Sequence, residues 1–377
     1  MTMRDENAAY DVAVVGLGPA GATFARLLAP HFRVVAFDRK AASPDAPGFR
    51  KPCGGLLAED AQRALARQGL ALPNAVLADP QLFAVRTIDL CRGHERTYRR
   101  FYVNMDRHRF DLWLKSLVPA SVRVRHEASV RGFSRGADGL WRVTYFEDGN
   151  EKTLLARAVV GADGAASLVR RTLFPRHKIR SYTAVQQWFP DRQPAPLYAC
   201  FFDERLSDCY GWAISKDGAL VFGAAFPREN SARAYELLRE RAEGFGFVLK
   251  NPIRTEACQV LRPERARDFR IGVPEGAFLL GEAAGFISPS SLEGMSYALD
   301  SAEALADAFG GDAAFSPEKI FARYRAGTRK IRLKLLSKIL KNPFMYNPTM
   351  RSLVMRSGLA AEKIRGGNAD EGKGGRA

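Results

Sequence analysis

The chain has 377 residues, 46% hydrophobic and 26% charged, and its 57 Lys and Arg against 41 Asp and Glu give a net charge of +16. That length and apolar content support two or three domains with a sizeable core; no stretch reaches the roughly eighteen apolar residues of a membrane span, and five scattered cysteines without a CxxC pair argue against a disulfide framework or a zinc site. The cationic excess admits nucleic acid, an anionic membrane surface or an anionic ligand, but it is densest from Arg323 to Lys341 and no nucleic-acid recognition signature accompanies it, so nucleic acid is set aside.

The first residues, MTMRDENAAYD, carry acids and no apolar run, and a cytoplasmic location is expected. From Tyr10 the chain reads as a dinucleotide-binding βαβ unit. A Val- and Ala-rich strand, Tyr10 to Val15, enters the loop GLGPAG (Gly16, Gly18, Pro19, Ala20, Gly21), a helical pattern runs through Leu28, and a second strand, Arg33 to Phe37, ends at Asp38. Gly16 allows the sharp turn, Gly18 lets backbone approach a pyrophosphate, and Gly21 lets helix and strand pack closely. The phosphates would lie against free N–H groups at the new helix. Asp38 stands about twenty residues downstream, where a carboxylate accepts hydrogen bonds from ribose hydroxyls.

After Arg39 and Lys40 comes a Pro-, Ala- and Gly-rich loop that ends in Lys51, Pro52, Cys53, Gly54, Gly55. A helix is predicted near Glu59 to Arg67, irregular Arg-rich strands from Val76 to Val103, and a one-faced helix from Arg107 to Leu117. A β-meander follows, with turns at Ser134 to Gly139 and at Asp148, Gly149. It leads into AVVGADGAASLVRR (Ala158 to Arg171), a strand, a glycine turn carrying Asp163 and Gly164, and a helix. From Tyr182 to Leu261 the pattern is of separated strands with one helix near Ala232 to Glu243, an antiparallel sheet in a second domain. At Ala277 the glycine-rich style returns with GEAAG (Gly281, Glu282, Ala283, Gly285) and a helix that begins near Met295.

The stretch Ile320 to Leu340 interleaves apolar residues with Arg and Lys. Such a basic amphipathic helix either lies at an anionic membrane interface or packs its apolar side on the core and leaves a solvated charged face. GGNADEGKGGRA reads as a disordered tail. The five histidines are scattered without ligand spacing, and no metal is expected.

Three glycine motifs in this order, GLGPAG, GADG and GEAAG, resemble the flavoprotein superfamily of para-hydroxybenzoate hydroxylase and the geranylgeranyl reductases. The string KPCGG and the segment CYGWAISKDGALVFG (Cys209 to Gly223) resemble the reductase branch. The resemblance implies an α/β fold, α+β overall: a Rossmann-like FAD-binding domain (1–75, 100–175 and 265–315) interrupted by an antiparallel-sheet substrate domain (76–99 and 176–264), with a basic helical segment (316–365) and the tail (366–377).

For the site, the resemblance implies that FAD is held by the three motifs, Asp38, Arg39, Arg107 and the Lys51 to Gly55 loop, and that Cys53, Tyr210 and Trp212 face the reaction. Cys53 would orient substrate or donate a proton, or it is a small buried hydrophobe; its only neighbouring cation in the sequence is Lys51. Asp163 is a cofactor contact or a turn-former, Glu282 a ribityl contact or a solvated acid, and Arg107 a flavin contact or a surface residue. Two features depart from the family: Glu282 replaces the usual Asp, and Ile214, Ser215 replace Phe, Pro. The implied reaction is reduction of carbon–carbon double bonds of an isoprenoid or related lipid, with NAD(P)H as a transient reductant. Hydroxylation of a hydrophobic substrate and a non-catalytic flavin- and lipid-binding role are the alternatives.

Overall fold

A computed structural model describes residues 9–41, 43, 51–310, 315–358 and 361–362; the tail expected at 366–377 lies outside the described residues. In chain order the elements of the first part are β1 Tyr10–Val15, α1 Pro19–Leu28, β2 Val34–Phe37, β3 Leu56–Leu57, α2 Glu59–Arg67, β4 Ala84–Asp89, β5 His94–Arg99, β6 Val103–Asn104, α3 Arg107–Ser116, β7 Arg123–Arg125, β8 Ser129–Arg135, β9 Trp141–Glu147, β10 Asn150–Gly161 and α4 Leu168–Leu173. The second part holds β11 Ser181–Pro190, β12 Tyr198–Phe202, β13 Gly211–Lys216, β14 Ala219–Pro227, α5 Ser231–Glu243, β15 Arg254–Leu261, β16 Gly272–Val273, β17 Ala277–Leu279, α6 Met295–Phe309, α7 Pro317–Gly327, α8 Arg329–Tyr346 and α9 Pro348–Ser357.

The architecture is mixed α/β. One sheet runs β16-β17-β10-β1-β2-β7, with β9 and β8 continuing from β10. Its centre is parallel: β1 lies between β10 and β2, and β17 joins on the far side of β10. Val12 to Val14 and Val34 to Phe37 are almost wholly buried, which is why these strands read as continuous apolar runs rather than alternations. β10 serves two neighbours: its first half pairs antiparallel with β9 and its last residues run parallel to β1.

The second sheet, β15-β11-β14-β13-β12-β4-β5, is antiparallel except where β12 runs beside β4. One face packs α5 through Phe189, Phe201, Phe222, Tyr235 and Leu238. The other carries Tyr198, Cys200, Phe202, Ile214 and Trp212. A two-stranded ladder of β3 and β6 ties the Cys53 loop to the segment that opens α3.

The predicted single basic helix is two. α7 ends at Gly327, and buried Thr328 turns its hydroxyl onto the Tyr324 carbonyl. Tyr324 is anchored by its own hydroxyl to Leu279 O in the core. The apolar residues then divide between two faces of α8. Ile331 and Leu335 are buried, whereas Leu333, Leu340 and Phe344 are exposed.

Candidate cofactor and active site

The glycine loop between β1 and α1 has the geometry its spacing demands. Gly16 sits at φ +97°, in the left-handed region, and a Cβ there would lie 2.8 Å from Ala162 O in the GADG turn. A Cβ on Gly21 would overlap the Gly16 carbonyl, so helix and turn meet backbone to backbone. Gly18 is different: a Cβ there meets nothing within 4 Å. The protein leaves that space clear at the N-terminus of α1, where free amides favour an anion.

This space is one end of a cavity of about 630 Å³. Gly16, Gly18, Pro19, Ala20, Asp38, Arg39, Lys51, Pro52, Cys53, Gly54, Gly55, Arg107, Asp163, Gly164, Tyr210, Trp212 and Glu282 all line it. Gly21, Gly281, Ala283 and Gly285 do not; they shape the loops behind it. Gly281 N–H donates to Ser301 Oγ, the Ala283 carbonyl accepts from Arg170, and a Cβ on Gly285 would overlap Asp268 O. The helix start that reaches the cavity after GEAAG is that of α6, through Gly294, Met295 and Ser296.

Asp38 is not left free for a ligand alone. Its carboxylate is ion-paired with Lys115 on α3 and accepts from Lys40 N–H. Asp111, one helical turn before Lys115, pairs with Arg107 at 2.8 Å. Burial works against the Arg107 charge, but Asp111, with Cys53 next, holds its pKa above the ordinary value. Lys115 and Asp111 escaped the sequence reading although their spacing from Arg107 places all three on the cavity side of α3.

The Cys53 loop is pressed between the two sheets. A Cβ on Gly54 would stand 2.7 Å from Ile214 Cδ1, and one on Gly55, at φ +66°, would strike Met105 O and lie 2.6 Å from Lys216 Nζ. Cys53 Sγ accepts from Gly55 N–H at 3.4 Å and lies within electrostatic reach of Arg107. The cations around it are therefore Arg107 and Lys216 as well as the Lys51 visible in sequence.

Lys51 pairs with Glu282 in GEAAG, and burial, which lowers its pKa, is more than offset by that carboxylate. The other Glu282 oxygen accepts from Leu261 N–H at 3.0 Å. The added methylene relative to Asp thus reaches a partner on the Cys53 loop and another on β15. Asp163 Oδ2 accepts from Leu168 N–H at 2.6 Å at the start of α4, while its Oδ1 is buried without a partner. Burial raises its pKa. The turn-forming and site-lining readings both apply to it.

The second sheet closes the far end with Tyr198, Tyr210, Trp212 and Ile214, joined by Tyr102. Tyr210 donates to Ser291 O at 2.9 Å and Tyr102 to Glu293 at 2.8 Å, so both phenols hold the loop before α6. The Trp212 indole N–H is buried and unpartnered. In the substrate segment that departs from the resembled reductase pattern, Ile214 faces the cavity; Ser215 does not, and its hydroxyl accepts from Leu197 N–H. Strand alternation explains the difference, because Trp212, Ile214 and Lys216 share one face of β13. That period would also have revealed Lys216.

The FAD binding domain family matches residues 9–190. Protein CbrA of Escherichia coli O6:H1 is 50% identical over 351 residues, covering 93% of this chain and 94% of that one. The chain belongs to the CbrA family. The Escherichia coli O157:H7 member is likewise 50% identical over 351 residues, 93% of this chain and 97% of its own length. Two solved structures share the fold. A geranylgeranyl bacteriochlorophyll reductase-like protein from Thermoplasma acidophilum superposes with TM-score 0.73 at 18% identity over 92% of this chain and 90% of that one. PqsL of Pseudomonas aeruginosa, solved in complex with 2-aminobenzoylacetate, gives 0.70 at 20% over 93% and 100%.

The residues of this member fit FAD. The clear space over Gly18, the α1 and α6 N-termini, and a lining in which Arg39, Lys40, Lys51, Arg107, Lys115, Arg131 and Arg171 outnumber the acids suit a ligand with two phosphates. The chain is an FAD-binding flavoprotein of the oxidoreductase class. Among the described residues no helix is long and apolar enough to cross a membrane.

Proposed function

We propose that this protein reduces a carbon–carbon double bond of an isoprenoid or related lipid. The observation that carries the reading is the position of Cys53, on the wall of one cavity that extends from the dinucleotide loop to the aromatic and apolar face of the second sheet. FAD, when bound, supplies two-electron redox chemistry. Saturating the double bond also takes a proton that a group of the chain must hold, and Cys53 Sγ is our choice, with the Arg107 guanidinium beside the sulfur once the proton has left. Ile214, Val260 and Ile287 exclude water, and Tyr210 and Tyr102 orient the Ser291 to Glu293 loop. NAD(P)H is the proposed reductant; with one dinucleotide fingerprint in the chain, it would visit transiently. Anaerobic mixing of reduced holoprotein with polyprenyl compounds should oxidise the protein and yield products two hydrogens heavier, and no oxidation at any chain length would refute the reading.

A second reading, hydroxylation of a hydrophobic substrate, is favoured by the aromatic residues Tyr198, Tyr210 and Trp212 on the cavity wall, where Tyr210 and Trp212 meet edge-to-face and offer ring surface to an aromatic substrate. Substrate-dependent oxygen consumption with a product one oxygen heavier would select it. A flavin- and lipid-binding protein without turnover would show neither.

We also propose peripheral contact with an anionic membrane through α8. Leu333, Leu340 and Phe344 are 56%, 75% and 54% exposed, spaced along one side of a helix that carries Arg329, Lys330, Arg332, Lys334, Lys338 and Lys341 and no acid. Sedimentation with phosphatidylglycerol vesicles, but not with phosphatidylcholine vesicles, is expected, and Leu340→Glu with Phe344→Glu should abolish it.

A further inference from the structure

Lys216 ends β13 and is 2% exposed, yet among the described residues no carboxylate pairs with it. Its ammonium donates to Asn104 Oδ1 at 2.6 Å, to Met105 O at 2.6 Å and to Gly55 O at 3.4 Å. Gly55 closes the Cys53 loop, and Asn104 and Met105 lie at the end of β6 just before α3, whose first residue is Arg107, within electrostatic reach of Cys53. One buried cation on the second sheet therefore grips both backbone segments that carry the Cys53 and Arg107 pair. Asn104 completes the junction, with its Nδ2 donating to Pro80 O at 2.8 Å and to Ser215 O at 3.0 Å.

Burying an ammonium without a counter-ion is costly, and burial pushes the Lys216 pKa down to about 8. An apolar residue at that place on β13 would avoid the cost of the charge but would leave the buried Asn104 and Met105 oxygens without this donor. What the lysine adds over an apolar side chain is therefore its hold on these two segments.

We propose that Lys216 is a positioning residue: by holding the Gly55 and Met105 carbonyls it fixes the Cys53 loop against Arg107 on the cavity wall. The idea rests on the reading of Cys53 as the group facing substrate, but the contacts themselves do not depend on which reaction follows. Lys216 does not line the cavity and acts through the Gly55 and Met105 carbonyls.

The test uses FAD-loaded full-length protein, with Lys216→Met and Lys216→Arg. Cys53 modification by iodoacetamide at pH 7 is followed by peptide mass spectrometry, amide exchange is read over residues 51–57 and 103–106, and the melting temperature is taken on the same samples. Lys216→Met is expected to speed Cys53 modification by about fivefold or more and to raise exchange in those two segments alone, with the melting temperature within about 3 °C of the parent. Lys216→Arg, which keeps the charge and the donors, should return both readouts toward the parent. Unchanged modification and exchange in Lys216→Met would overturn the proposal. So would a loss of protection spread through both sheets with a lowered melting temperature, which would make Lys216 a general support of the fold. A Cys53→Ala variant that still turned over would remove the proton-donor reading and leave the loop result intact.

Discussion

Lys51 and Glu282, 231 positions apart in the chain, form an ion pair across the cofactor cavity, and the second Glu282 oxygen is taken by the Leu261 amide. The pair latches the Cys53 loop to the loop that follows β17. Lys51→Met should leave the Glu282 carboxylate with one partner and release the latch, weakening FAD retention by about tenfold, or about 1.4 kcal/mol. Glu282→Asp, which keeps the carboxylate at shorter reach, should cost part of that. Fluorescence titration of apoprotein with FAD measures both; equal affinity for all three proteins would show that the latch does not support the cofactor.

The glycines of the first loop should separate by function. Gly18→Ala adds a methyl where no protein atom lies within 4 Å, so thermal stability without FAD should change by less than about 0.5 kcal/mol while FAD affinity falls by at least about tenfold. Gly21→Ala places its methyl on the Gly16 carbonyl and should destabilise the fold itself by about 2 kcal/mol or more. Paired melting curves with and without FAD distinguish the two.

Lys216 gives a pH dependence of defined sign. Its pKa is about 8 in the fold against an ordinary 10.5. Between those values the folded state holds fewer protons than the unfolded chain, so this group's contribution is full above 10.5 and is lost as pH falls through 8. The span corresponds to about 3 kcal/mol. Urea midpoints measured from pH 7 to pH 10 should show the parent gaining on Lys216→Met as pH rises; a constant difference would contradict the shifted pKa.

The last helix, α9, is docked by a buried arginine. Arg351 on α9 meets Asp89, whose side chain is wholly buried, at 2.9 Å, and Glu204 at 2.7 Å. Asp89, Cys91 and Glu204 bring ligand atoms within 4.8 Å of one another, but arginines 92 and 351 already meet the two carboxylates. Arg351→Met should leave buried Asp89 Oδ2 with only the 3.9 Å contact to Arg92 and cost about 3 kcal/mol. Limited proteolysis should then cut near α9 first, while Arg356→Met, at the exposed end of the same helix, should behave as the parent.

The dinucleotide unit was legible because its determinants are local. Gly16, Gly18 and Gly21 lie within a single strand, turn and helix, and a glycine needed for a turn, for clear space or for close packing follows from spacing alone. The alternating strands of the second sheet were legible for the same reason, except that the face of β13 carrying Lys216 went unread. The break between α7 and α8 carried one local signal that went unread, Gly327 at the end of α7; what holds the break, the Thr328 hydroxyl on the Tyr324 carbonyl and the anchoring of Tyr324 to Leu279, is tertiary and was not legible.

By itself the sequence determined the cofactor fold, most strands of the two sheets and the glycine loops that line the cavity, since periods of 2 and 3.6 residues and glycine spacing are properties of neighbouring residues. Only the tertiary structure decided the partners inside the site. That Asp38 is paired with Lys115, that Glu282 reaches Lys51 and Leu261, and that Cys53 stands against Arg107 on a loop gripped by Lys216 depends on how two sheets and the loops between them approach one another. A buried charge takes whichever partner the packing brings within reach, and a one-dimensional pattern does not record that distance.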